Sequence, residues 1–316
     1  MSAPPQGPSI GFWGILSDSK RIINAHSRHF LTLSIIFLLP LSFSLIVYPT
    51  LHRLIHRSLI TTSHILLHHC IKTNALFFSL LYSLFVFAFS LCAVATITYS
   101  VFHGFYGRPV KLVSAVKSIF ASFFPLLVTV VVSQFIICSI SLVFGVFSFL
   151  VVRGIELLIG IRIDYSSPYF IGFSVVLVLA FLFVLVNLQV NWTLLSVVVV
   201  AESSWGLKAL RRSVGLIKGM KGVALSSLMF FGVFTGMLVW SSLVSTKNWG
   251  FVMQIVVASI FLMLILLYNA AANTVMYVYC KAIHGEVAEE FAWEYVRFPF
   301  DDDEGKIPHV VSIVHE

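Results

Sequence analysis

Charge is what this sequence has least of. Only 10% of its 316 residues are Asp, Glu, Lys or Arg, while 59% are hydrophobic and 15% aromatic, and the mean hydropathy is +0.99. A soluble domain carries ~25% charged residues. So few charges do not cover a water-facing surface, which excludes a soluble globular enzyme and a disordered chain alike. Acid is scarcer still: Asp18, Glu156, Asp164 and Glu202 are the only carboxylates before residue 281, and the other nine fall in the last 36 residues.

Catalytic patterns are missing too. There is no G-x-S-x-G, no H-E-x-x-H and no P-loop. Lys20-Arg21 with Ser27-Arg28-His29 loosely suggests a phosphate clamp, but no downstream Arg–His–Asp set completes it and Glu202 stands alone. The chain is therefore expected to be no enzyme and to hold no cofactor. The four cysteines, Cys70, Cys92, Cys138 and Cys280, match no metal or redox spacing. Cys280, beside Lys281 at a span end, is a candidate for palmitoylation, although an unmodified thiol is the favoured reading. No cleavable leader is expected, because Pro4, Pro5, Pro8, Asp18, Lys20 and Arg21 precede the first long apolar run.

What the chain has is apolar length. A helix needs ~20 apolar residues to cross ~30 Å of hydrocarbon. Six runs qualify, at 30–51, 75–102, 119–151, 169–200, 223–244 and 251–280. The expected fold is an all-α polytopic membrane bundle of six transmembrane helices. It divides into an N-terminal segment over 1–29, a membrane domain over 30–280 and an acidic tail over 281–316. Pro40 and Pro125 are the expected kinks. No Asp, Glu, Lys or Arg lies well within a run, which argues against proton relays, voltage sensors and ion-coupled carriers.

Lys and Arg set the orientation. With six spans, fourteen of them fall on the side of both termini and six on the other, so both termini are expected in the cytosol. The connection over 204–221 has Leu207, Leu210, Val214 and Ile217 on one helical face and Lys208, Arg211, Arg212 and Lys218 on the next, as an interfacial helix would. With Lys221, these cations are the candidate contacts for anionic lipid, at ~1 kcal/mol each. The bland reading, a topology determinant resting in the headgroups, is favoured. The 108–118 connection (Arg108, Lys111, Lys117) repeats the design less cleanly. Nucleic acid is not an expected partner, since no exposed aromatics interleave with these cations.

Uncharged amides are the polar groups inside the runs: Asn187, Gln189 and Asn191 in the fourth, Asn269 and Asn273 in the sixth. The i,i+4 spacing puts each Asn pair on one face. Burial cost should turn these faces inward and pack the two helices together. Structural glue is the favoured reading; a polar substrate seam is the alternative. Gly232 and Gly236 form a G-x-x-x-G, expected to pack within the monomer.

His52, His56, His64, His68 and His69 crowd the first outer connection. Two H-x-x-x-H pairs make His52, His56, His64 and His68 weak metal candidates. A zinc site usually adds a third ligand, no carboxylate is near, and only Cys70 could serve, so an amphipathic interfacial or re-entrant segment is the favoured reading and no metal is expected. In the tail, Asp301, Asp302, Asp303 and Glu304 precede an apolar end at 307–314. That tail could add a strand to a cytosolic protein partner or dock on the basic 201–222 connection.

Three stretches carry a resemblance. They are Phe37-Leu38-Leu39-Pro40-Leu41-Ser42; Glu202 with Ala209-Leu210-Arg211-Arg212-Ser213 and Lys218-Gly219; and Glu294-Tyr295-Val296, Phe298-Pro299 and Pro308-His309-Val310-Val311. Nearly the whole chain resembles a family of uncharacterised plant six-span proteins. Its middle is similar to the membrane domain beside bacterial glycerophosphodiester phosphodiesterases, which is not the catalytic part. The resemblance implies an all-helical membrane module and assigns no catalytic residue. The leading expectation is a non-catalytic multi-pass protein of the plasma membrane or endomembrane (Golgi or ER) that organises lipid or partner proteins at the cytosolic face. The runner-up is a carrier or channel for a neutral or lipid-like solute along the amide seam.

Overall fold

The structure, a computed structural model, describes residues 11–49, 65–107, 112–159, 167–244 and 250–286. Every regular element among them is helical. Six helices are long and apolar enough to cross a membrane: Ser27–Pro49, Phe77–Phe105, Leu112–Gly154, Phe170–Glu202, Lys221–Ser242 and Val252–Ile283. These are the six expected runs, five of them within three residues at either end and the third starting seven residues earlier than expected. We number the helices α1 (Phe12–Ala25), α2 (Ser27–Pro49), α3 (Ile65–Phe105), α4 (Leu112–Ile159), α5 (Pro168–Asn191), α6 (Leu195–Glu202), α7 (Leu207–Leu216), α8 (Lys221–Val244) and α9 (Gly250–Ile283).

Helix α3 is the axis of the bundle, packing on α1, α2, α4, α6 and α9. Its stretch over 91–101 explains why. Ala93, Ala95, Thr96, Thr98 and Ser100 are all buried, and side chains this small let neighbours approach from every side. Antiparallel α2 is registered on it by His29 Nε2 with Ser100 Oγ at 3.0 Å and by the Tyr48 and Ser79 hydroxyls at 2.9 Å. Helix α9 answers with Ala271 and Ala272. The packed core gathers where α3, α6 and α9 end, beside the basic connection carrying α7. Phe30, Ile97, Leu194, Leu216, Ile217, Met276 and Tyr277 are fully buried there.

Both prolines act locally. Pro40 cannot donate to the carbonyl four residues back, and a π-helical turn over Ser34–Leu38 precedes it, with Leu39 N–H bonding to Ser34 O. Pro125 sits inside an unbroken α4. The fourth run holds a break, a turn at Trp192–Leu194 dividing α5 from α6. There Thr193 N–H bonds to Val190 O and Leu195 N–H to Trp192 O, so the Asn191 carbonyl loses its helical donor. Ser213 Oγ donates to it instead, at 2.9 Å. A backbone group freed in an apolar layer needs such a substitute.

Helix α1 lies within the N-terminal segment over 1–29; Ile15, Ser19 and Ile23, spaced i, i+4, i+8, form its buried stripe. Two expectations are corrected. The 108–118 connection makes no separate amphipathic helix, because α4 begins at Leu112 and runs straight on. Gly232 and Gly236 do not mediate packing within the monomer: an added Cβ on either meets nothing within 4 Å. The inward stripe of α8 is Ala224, Ser227 and Phe231, and the two glycines lie roughly 100° or more off it. The periphery belongs to α5 and the outer part of α4: the most apolar windows of the third and fourth spans hold no buried residue, against 44% for α2 and 39% for α9.

Candidate functional site: the basic rim

Helix α7 is bracketed by two glycines that adopt left-handed φ, Gly206 at +64° and Gly219 at +101°, where an L side chain is strained. The turn before it is pinned to α4 by Gly206 N–H donating to Thr129 Oγ1 at 2.9 Å. Ala209, Leu210, Ser213, Leu216 and Ile217 face inward. This inner face is turned from the expected one: Leu207 is 58% exposed and Val214 half-buried, because small Ala209 and Ser213 are what let α7 sit close on α6. Leu207 instead joins Trp205, 54% exposed, beside Lys208 and Arg211.

The structure divides the five expected lipid-binding cations. Lys208, Arg211, Lys218 and Lys221 are exposed and have no ion-pair partner among the described residues. Arg212 is held. Its Nε and Nη2 donate to Glu202 at 3.0–3.2 Å, and Nη1 donates to Glu286 Oε1 at 2.9 Å, with Nη2 also on Glu286. Tyr277 Oη donates to Glu202 Oε1 at 2.9 Å, and Lys281 lies 5.7 Å over the Tyr277 ring. The Glu286 hydrogen bond is the largest influence raising the Arg212 pKa, and Arg212 in turn holds the Glu286 carboxyl below its ordinary value. Nearby, Tyr279 Oη donates to Asp18 at 2.6 Å, tying α1 to the end of α9. Docking of the acidic tail on the 201–222 connection is one reading of the sequence, and Glu286 makes such a contact; the part played by Glu202 and Tyr277 is not legible there, because Tyr277 lies 75 residues from Glu202.

These contacts also explain one stretch behind the resemblance. Glu202 and Arg212 form the ion cluster, Ser213 caps the broken helix, and Gly219 makes the turn after α7. Each role holds the fold.

The amides do not meet along one seam. Asn187 and Gln189 are exposed, and Asn187 Nδ2 donates back to Phe183 O at 3.1 Å. Asn273 Nδ2 donates to Asn269 Oδ1 at 3.4 Å within α9, and Asn191 Oδ1 and Asn273 Oδ1 are buried without a partner. The packing that joins the fourth and sixth runs is between α6 and α9, while α5 rests on α8 and α4. At 1.5 Å per residue, Asn187 lies about 29 Å along α5 from Pro168, and Asn269 about 29 Å along α9 from Gly250. That is about one hydrocarbon thickness from the start of each helix.

His52, His56 and His64 and the tail from residue 287 lie outside the described residues, as does the side chain of His68. Among the described residues no three His, Cys, Asp or Glu gather as a metal site. Cys280 is fully buried with its thiol 3.6 Å from Met220 Sδ, out of reach of acylation. Two cavities are formed by described residues. One, of about 520 Å³, is an apolar groove between α1, α8 and α9 with Lys20 among its lining; the other, of about 350 Å³ and more polar, lies between α3, α4 and α6 beside Lys117.

Six apolar helices joined at a charged rim define a multi-pass helical membrane protein. A family model described as a domain of unknown function, DUF8558, matches residues 6–294, and the chain belongs to that family. No curated protein and no solved structure matches the chain.

Proposed function

We propose that this is a non-catalytic membrane protein that gathers anionic lipid at the cytosolic face, with both termini in the cytosol and the acidic tail available to a protein partner. The membrane would be the plasma membrane or an endomembrane such as Golgi or ER. One observation carries the reading. Lys208, Arg211, Lys218 and Lys221 stand exposed beside exposed Trp205 and Leu207, while half-buried Arg212 is paired with Glu202 and Glu286. Cations flanked by an aromatic and an aliphatic anchor suit the headgroup layer. At ~1 kcal/mol each, four such cations supply roughly 4 kcal/mol before screening. The resemblance to plant six-span proteins and to the membrane domain beside glycerophosphodiester phosphodiesterases belongs to the same proposal. The carrier reading is the weaker one, since Asn187 and Gln189 face outward.

The test uses the purified full chain in mixed micelles of phosphatidylcholine and phosphatidylserine, with co-purifying lipid measured by mass spectrometry. Phosphatidylserine should be enriched, less so at high salt, and lost from K208A/R211A/K218A/K221A. Undiminished enrichment in that folded variant would refute the proposal.

A further inference from the structure

The polar cavity beside Lys117 is a separate feature. Helix α4 presents Ser114, Ser118 and Ser122 to it at i, i+4, i+8, with Tyr99 from α3 and Ser203 from the end of α6 completing five hydroxyls. Lys117 is exposed at the mouth and brings the one cation among the lining residues, and no carboxylate lines the space. Ser122 is the most buried of the five, 8% exposed, and its hydroxyl has no hydrogen-bond partner among the described residues. Pro125 lacks an N–H, so the carbonyl of Ala121 loses its i+4 donor, and both residues line the same cavity. A volume of about 350 Å³ is within the range of small-ligand sites.

The chemistry selects the occupant. Hydroxyls and one ammonium suit an anion with several oxygens, and charge-assisted donors hold such a group best. With no carboxylate present, the ammonium of a zwitterionic headgroup would find no counter-charge. The level fits too: Ser203 begins the turn that Gly206 pins to α4, on the side of the exposed α7 cations. We infer that this cavity is a binding site for a phosphate group, that of an anionic membrane lipid such as phosphatidate or of a free phosphate, with Lys117 as the counter-charge and Ser114 and Ser122 as donors, the Ser118 hydroxyl being engaged with the Ala115 carbonyl at 2.7 Å. The inference deepens the lipid reading but uses none of its residues.

The test measures thermal stabilisation and adducts in native mass spectrometry for the full chain, with phosphatidate in nanodiscs, phosphatidylcholine nanodiscs, and inorganic phosphate as arms. Phosphatidate should bind and stabilise, and K117M should weaken that binding about tenfold or more, the value of one lost charge-assisted bond. S122A, which keeps the charge, should weaken it less and guards against misfolding of K117M. K208A/R211A/K218A/K221A should leave this saturable site intact, so failure here and failure of the rim proposal are distinguishable. Inorganic phosphate binding as well as the lipid would support the site with a soluble source. Equal binding by K117M and the parent chain, or stabilisation by neither ligand, would overturn it.

Discussion

Ser213 offers the sharpest test of how this bundle tolerates a broken helix. Its side chain is fully buried, and Oγ donates at 2.9 Å to the Asn191 carbonyl that the Trp192–Leu194 turn leaves without a helical donor. Alanine there removes one oxygen and opens almost no volume, so the change isolates the hydrogen bond. The chain that follows the stranded carbonyl is buried at Leu194, Leu195 and Val197, so water does not easily replace the donor. A buried acceptor left unpaired costs ~1–3 kcal/mol. Ser226→Ala is the matched control, because Ser226 is exposed and bonds only its own helix at Gly222 O, 2.9 Å away. Its cost should stay within about 0.5 kcal/mol. Both variants are compared with the parent chain by reversible unfolding in mixed micelles. If Ser213→Ala costs no more than Ser226→Ala, the carbonyl has another partner and the account of the break fails.

Two other contacts make independent predictions. Thr129→Val keeps the shape but removes the acceptor of Gly206 N–H; it should cost ~1–3 kcal/mol, and amide hydrogen exchange at Gly206 should speed up while exchange within α8 is unchanged. The Arg212 cluster predicts a pH dependence. Glu286 holds its proton less tightly when folded than when unfolded, so its contribution is complete above the ordinary carboxylate value and fades as pH falls through its lowered folded value. Thermal midpoints should therefore decline on acidification in the parent chain and decline less in Glu286→Gln; identical slopes would refute the role of that carboxylate.

Membrane residence and the six spans were legible because hydropathy is a local property that sums along the chain. No tertiary contact can offset a run such as 119–151 that lacks any charge. The α1 helix was legible in principle from the spacing of Ile15, Ser19 and Ile23, but its short, polar-interrupted pattern is overshadowed by the apolar run that follows. The break at Trp192 follows the amides Asn187, Gln189 and Asn191 and precedes Thr193, a polar dip too short to end a span by hydropathy. The amides read as an inner seam because spacing gives a face but not its direction; packing set Asn187 outward and left Asn273 half-buried.

Arg211 and Arg212 show where the division falls. Composition determined that both are cationic and that they sit at the end of an apolar run. Adjacent residues on a helix point ~100° apart, so one meets solvent and the other meets whatever is packed against α7. That neighbour is built from Glu202, Tyr277 and Glu286, drawn together by chain segments distant in sequence. The sequence alone determined that this protein lives in a bilayer with a positive rim; only the tertiary structure decided which of those positive charges are left to act.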